Sequence, residues 1–283
     1  MSEPNTTAMS GALRERFWTA LVLALLTAGT VLWLPTAGLA IALAPVVGLA
    51  AWELAFLLGL SRTSWRWAYL ITALAVMGLG WLAGLVAIPW PLLLPTALFW
   101  LFLTPWILRA GPVQPATAVD RWMLVFSLPL VLGCWIGLLA LHAIPAGGPW
   151  MVLFVLMLVW LTDSGAYFAG RRFGRRKLAP RVSPGKTVEG VIGGLFASGL
   201  WSLMLIPVAP TLVSWLWLVL LCMLTAGVSV VGDLLESWLK RRRNLKDAGS
   251  LLPGHGGMLD RVDSMLAAVP LFALGFLLWE ATA

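Results

Sequence analysis

The chain reads as an all-α, polytopic membrane protein, a bundle of about nine transmembrane helices. Three observations predict this. Of its 283 residues 60% are hydrophobic and only 11% are charged, whereas a soluble domain carries roughly 25% charged residues. The mean hydropathy is +0.92. Nine apolar stretches approach the roughly 20 residues needed to cross about 30 Å of hydrocarbon. Finally, the Lys and Arg residues sit in alternate connections between those stretches.

In order, the stretches are 17–34, 38–59, 67–87, 91–108, 122–142, 149–168, 188–207, 211–232 and 264–280. Each is expected to be helical, because lipid offers no partner to free backbone groups. Pro35, Pro89, Pro91, Pro145, Pro207 and Pro210 mark breaks between them. The first stretch is too long, and too poorly supplied with a cleavage site, to read as a removable signal peptide. The connections near 35–37, 88–90, 143–148 and 208–210 hold no Lys or Arg. All 19 lie in the others: Arg14, Arg16, Arg62, Arg66, Arg109, Arg121, a cluster from Arg171 to Lys186 and a cluster from Lys240 to Arg261. The positive-inside rule then sets the N-terminus in the cytoplasm and the C-terminus outside. The same confinement explains the net charge of +7 as topology, not as nucleic-acid binding.

Two regions follow. Residues 1–148 hold about five spans, short loops and little chemistry. Residues 149–283 hold about four spans and both basic loops. Cys134 and Cys222 lie in apolar stretches without metal-ligand spacing. Eighteen tryptophans suit helix ends at the bilayer interface. His142, Glu280 and Glu53 read as structural, Glu53 by pairing with a cation or bridging a helix contact.

The chemistry concentrates in GDLLESWLKRRRNLKDAGSLLPGHGGMLDRVD, residues 232–263. Asp233, Glu236, Ser237, Lys240 and Arg241 fall on one helical face. Glu236 and Lys240 read as an i,i+4 pair. Asp233 follows the apolar run TAGVSVVG, where a carboxylate is costly unless paired or metal-bound. Pro253-Gly254-His255-Gly256-Gly257 permits positive φ and an anion-binding concavity. Asp260 and Asp263 share a face of the next helix. Carboxylates from two helix ends are hard ligands suited to Mg²⁺.

The other basic loop, RRFGRRKLAPRVSPGKTVEG, contains SPGKT. It lacks the first glycine and the preceding strand of a Walker A loop. Ser183, Lys186 and Thr187 remain phosphate contacts at a helix start. Asp163, near the cytoplasmic end of the sixth span, reads as paired with an arginine or functional.

The run Ser237, Lys240, Arg241, Lys246, Asp247, Gly249, Leu252, Pro253, His255, Gly256, Gly257, Asp260, Arg261 and Asp263 resembles the C-terminal signature of the phosphatidate cytidylyltransferases (CDP-diacylglycerol synthases). Every fixed position of that signature matches. The likeness extends upstream through GDLLES, SPGKT and Asp163, about the C-terminal half. One departure is Gly185, where relatives often carry lysine.

The resemblance implies transfer of CMP from CTP to phosphatidic acid. It implies Mg²⁺ dependence, K⁺ as a second ion, a homodimer, and a site facing the cytoplasm from the cell (inner) membrane. Its metal residues are Asp233 and Asp260, with Asp263 and Asp163 beside them. Its catalytic residues are Lys240, Arg241, Lys246, Asp247 and His255. Its substrate contacts are Ser183, Lys186, Thr187, Ser237, Gly256, Gly257 and Arg261. Arg242 and Arg243 fall in the variable gap and read as surface charges. A CTP-dependent lipid kinase is the nearest rival, told apart by its products. A transporter would string polar residues through mid-membrane.

Overall fold

The computed structural model describes residues 6–116, 118–249 and 256–282; the side chains of 6–17, 19 and 20 are outside that description. Among the described residues there are nine α-helices: α1 (Thr6–Trp33), α2 (Thr36–Leu57), α3 (Thr63–Leu82), α4 (Trp90–Leu108), α5 (Arg121–His142), α6 (Gly148–Phe173), α7 (Val188–Ser202), α8 (Leu212–Arg242) and α9 (Leu259–Glu280). They correspond one to one with the nine apolar stretches. Seven are long and apolar enough to cross a membrane: α2, α4, α5, α6, α7 with its continuation, α8 and α9. The chain is an integral membrane protein built of helices.

Local chemistry sets several helix starts. The Asp120 carboxylate accepts the Met123 N–H at 3.1 Å ahead of α5. Thr187 and Thr211 do the same for Gly190 and Ser214, both at 3.1 Å, ahead of α7 and α8. Each hydroxyl or carboxylate satisfies one of the orphan donors of a first turn. Pro207 and Pro210 prevent α7 from continuing as an α-helix, and it ends in a 3₁₀ segment, Leu203–Val208.

One feature differs from the sequence expectation. The cytoplasmic connection expected after 168 is partly regular: α6 runs to Phe173, and an antiparallel hairpin follows, β1 (Lys177–Ala179) with β2 (Ser183–Thr187). Ser183 and Lys186 therefore sit on a strand, and only Thr187 is at the helix start. The hairpin is held at its base by Glu189 of α7, whose Oε2 accepts the N–H groups of Arg175 at 3.0 Å and Arg176 at 3.1 Å. As the helical spacing predicts, α8 runs on past 232 to Arg242 and carries Asp233, Glu236, Ser237, Lys240 and Arg241 on one face.

Two glycine contacts place the functional elements. The α6–α7 seam is made of small residues. A Cβ on Gly165 would lie 2.8 Å from the Cβ of Ala197, and one on Gly194 2.8 Å from the Thr162 carbonyl oxygen. Backbones approach this closely only across Gly and Ala. At Gly232 the carbonyl of Asp263 occupies the place of a side chain. This brings the start of α9 against α8 beside Asp233.

The first region braces the second. Glu53, 2% exposed on α2, accepts the Leu259 N–H through Oε2 at 2.7 Å. The expected structural role for Glu53 is thus a cap on α9. His142 is also structural, with Nε2 2.9 Å from the Val31 carbonyl oxygen and Nδ1 3.0 Å from Thr36 Oγ1. Arg242 and Arg243 are not loose surface charges. Arg242 Nη1 pairs with Asp120 Oδ2 at 2.6 Å. Arg243 donates to the carbonyls of Leu57 (2.8 Å), Ala118 (3.0 Å) and Ala116. Sequence spacing along one helix gives no sign of partners more than a hundred residues away.

Candidate active site

A cleft of about 620 Å³ opens where α6, β2, α8 and α9 meet. Its walls include Asp163, Tyr167 and Arg171 of α6, Ser183, Lys186 and Thr187 of the hairpin, Asp233 of α8, and Asp260 and Asp263 of α9. Residues of the two basic loops, far apart in sequence, thus face one space. The closest link between them is an ion pair of 2.6 Å from Lys186 Nζ to Asp233 Oδ2.

Three carboxylates converge where α8 meets α9, and two of them, Asp233 and Asp263, line the cleft. One oxygen each from Asp233, Glu236 and Asp263 lie within 4.8 Å of one another. Asp233 and Asp263 are half-buried, whereas Glu236 is 4% exposed. Ser237 Oγ donates to Asp233 Oδ1 at 3.2 Å, and the Ser264 N–H donates to Asp263 Oδ1 at 2.6 Å. Glu236 Oε2 takes the Lys240 ammonium at 2.5 Å. Its other oxygen is buried and makes no hydrogen bond. A buried carboxylate oxygen without a donor is costly. Together with two neighbouring carboxylates it forms a set of hard oxygen donors that fits a divalent cation.

Asp260 is placed otherwise. Its Oδ1 accepts from Lys240 Nζ at 2.6 Å. Its Oδ2 accepts the N–H groups of Gly257 at 2.8 Å and Ala248 at 3.0 Å. It closes the connection between α8 and α9 and orients Lys240. Gly256 has the positive φ, +80°, that the glycine run predicts. A Cβ on Gly257 would lie 2.5 Å from Glu53 Oε2, so the turn leaves no room for one.

The remaining predicted residues are less central. Arg241 donates through Nη1 to the Leu245 carbonyl at 3.4 Å. Lys246, Asp247 and Arg261 are exposed and do not line this cleft among the described residues. His255 lies outside the described residues. Sequence reasoning missed Glu236 as a member of the carboxylate group. The pairing with Lys240 was correct, but helical spacing does not reveal that a second helix supplies Asp263 to the same point. Tyr167 and Arg171, joined by a 3.1 Å hydrogen bond from Arg171 Nη1 to Tyr167 Oη, are further cleft residues that only the folded hairpin identifies.

Acidic groups able to hold a metal, cations facing them, and a cleft at one end of an apolar bundle define a membrane enzyme that handles anionic substrates. The chain matches the model of the cytidylyltransferase family over residues 14–279 and belongs to that family. It is similar to a phosphatidate cytidylyltransferase of Pseudomonas aeruginosa, 43% identical over 275 residues, which covers 95% of this chain and 98% of the relative. A Haemophilus influenzae protein of the same name is 50% identical over 133 residues, 46% of each chain. One from Bacillus subtilis is 43% identical over 119 residues, 42% of this chain and 44% of the relative.

Proposed function

We infer that this chain is a nucleotidyltransferase that moves CMP from CTP onto phosphatidic acid, giving CDP-diacylglycerol and pyrophosphate for phospholipid synthesis. The observation that carries this reading is the convergence of the hairpin and the carboxylate group, with Lys186 reaching Asp233 at 2.6 Å. The family and the near full-length relative support the substrate class.

In the reaction an oxygen of the phosphatidate phosphate bonds to the α-phosphorus of CTP. The bond from that phosphorus to the bridging oxygen of the β-phosphate breaks, and pyrophosphate leaves with the electron pair. A phosphate monoester is already ionised near neutral pH, so no strong base is required. Both reactants are polyanions, and the protein's task is to neutralise and align them. Asp233, Glu236 and Asp263 hold Mg²⁺, with Asp163 facing them across the cleft. The ion, when bound, offsets charge on the phosphates and helps to orient them. Lys186 and Ser183 meet the phosphates from the hairpin side, and Lys240 from α8, oriented by Asp260. The nucleotide enters from the cytoplasm, and the acyl chains stay between helices in the inner membrane. K⁺ as a second ion and a homodimer belong to the same reading.

Purified protein supplied with labelled CTP, phosphatidate and Mg²⁺ tests it. CDP-lipid and pyrophosphate are the expected products, lost with chelator. A folded preparation that yields phospholipid and CDP instead is a lipid kinase, and the reading fails. Potassium dependence and molar mass in detergent check the second ion and the dimer.

A further inference from the structure

A second cleft, of about 700 Å³, lies at the same end of the bundle between α4, the segment after it and α8. It shares no lining residue with the active cleft. Trp238 and Arg242 form its α8 wall. At about 100° per residue they stand on the side of α8 away from Asp233, Glu236 and Lys240. Trp106 meets Trp238 edge to face at 5.1 Å, and the Arg242 guanidinium lies 4.7 Å from the Trp238 ring centre while held by Asp120. Arg109, at the C-terminal end of α4, is exposed, and its side chain makes no hydrogen bond or ion pair among the described residues. Phe102 lies deeper on the same wall and is 76% exposed.

We propose that this cleft binds one anionic phospholipid from the leaflet on the active-site side. α4 is apolar up to Leu108 and meets its first cation at Arg109. Arg109 thus stands at headgroup level, where an uncommitted guanidinium attracts phosphate. Phe102 is seven residues back, about 10 Å deeper by helical rise, at the depth where acyl chains begin. The Trp106–Trp238 pair between them has the amphipathic character of an interfacial belt. A soluble anion would satisfy Arg109 but leave the aromatic wall unused. A neutral phospholipid would cover the wall but bring its own cation to Arg109. An anionic phospholipid matches both ends.

The test uses full-length protein, delipidated in neutral detergent and titrated with phosphatidylglycerol or phosphatidylcholine. Bound lipid is counted by native mass spectrometry. Saturable retention of phosphatidylglycerol is expected, stronger than that of phosphatidylcholine. Arg109→Gln is expected to weaken it about tenfold, the size of one charge-assisted hydrogen bond. Gln114→Glu, which puts a repelling charge on the exposed rim, is expected to act in the same direction without removing a native contact. Unchanged retention in both variants overturns the proposal. So does equal retention of the two lipids, or displacement of phosphatidylglycerol by millimolar inorganic phosphate, which would make free phosphate the occupant. Lipid counting needs no turnover, so a failed transferase assay leaves this result standing.

Discussion

Lys240 stands between two carboxylates, Glu236 at 2.5 Å and Asp260 at 2.6 Å, and this decides what each acid is free to do. Asp260 is saturated by the ammonium and two backbone N–H groups. Glu236 keeps one buried oxygen without a partner and belongs to the group that Asp233 and Asp263 complete. The side chain best suited to grip a cation is therefore the one read from sequence as half of a helix-surface pair. Glu236→Gln is expected to raise the Mg²⁺ concentration for half-maximal activity by about 10-fold or more, with excess Mg²⁺ restoring part of the rate. An unchanged metal titration would remove Glu236 from the site. Asp233 was legible as an acid after an apolar run, which is expensive without a purpose, Asp163 as an acid near a span end, and Asp263 by sharing a helix face with Asp260. Their grouping with Glu236 was not, since it depends on how two helices cross.

At the scale of elements, close packing replaces covalent ties in holding the site. Gly232 lets the Asp263 carbonyl into the space of a side chain, with the Ala267 Cβ 3.1 Å from where its own would be. Gly232→Ala should push α9 off α8 and cost about 1–3 kcal/mol of stability. A shift near 1 Å at the carboxylates is expected to lower turnover about 100-fold. Parallel thermal melts and initial rates check this, and wild-type rates would refute it. Glu53 works from α2. Glu53→Ala removes the acceptor of the buried Leu259 N–H, at an expected cost of about 1–3 kcal/mol. Glu53→Gln keeps an acceptor and should recover most of it, as read by thermal melting. The helices themselves were legible from apolar runs and prolines. The hairpin was not, because three- and five-residue strands leave too little periodicity to stand out from a basic loop. The partner of the glutamate on α2 was not legible either, because it is an N–H group 206 residues away.

For the whole molecule, topology is set by how many of the nine helices among the described residues cross the bilayer. Seven qualify by length and composition, and the alternation of Lys and Arg calls for nine. Nine spans put the chain termini on opposite faces. Reporter fusions at each end of the chain measure this directly: a cytoplasmic N-terminus and an external C-terminus are expected. Termini on one face would sink the nine-span topology and the orientation drawn from it. A single cysteine at position 146 and another at 176, in a background lacking Cys134 and Cys222, should label from opposite sides. Charge placement made this much legible, because it records how each loop met the membrane. It is silent on the α2 to α9 brace and the Arg242 and Arg243 ties, which join regions that composition alone separates near residue 148.

The seam between α6 and α7 has a genetic consequence. Glycine is the smallest residue, so every coding change at Gly165, Gly190, Gly193 or Gly194 adds volume where a neighbouring backbone or methyl group already sits. Such a seam can be damaged in one direction only, and no single substitution there relaxes it. In a saturation screen for growth, these four positions should be among the most depleted in the gene although none carries a functional group. Intolerance in this protein therefore marks where helices touch as strongly as where chemistry happens.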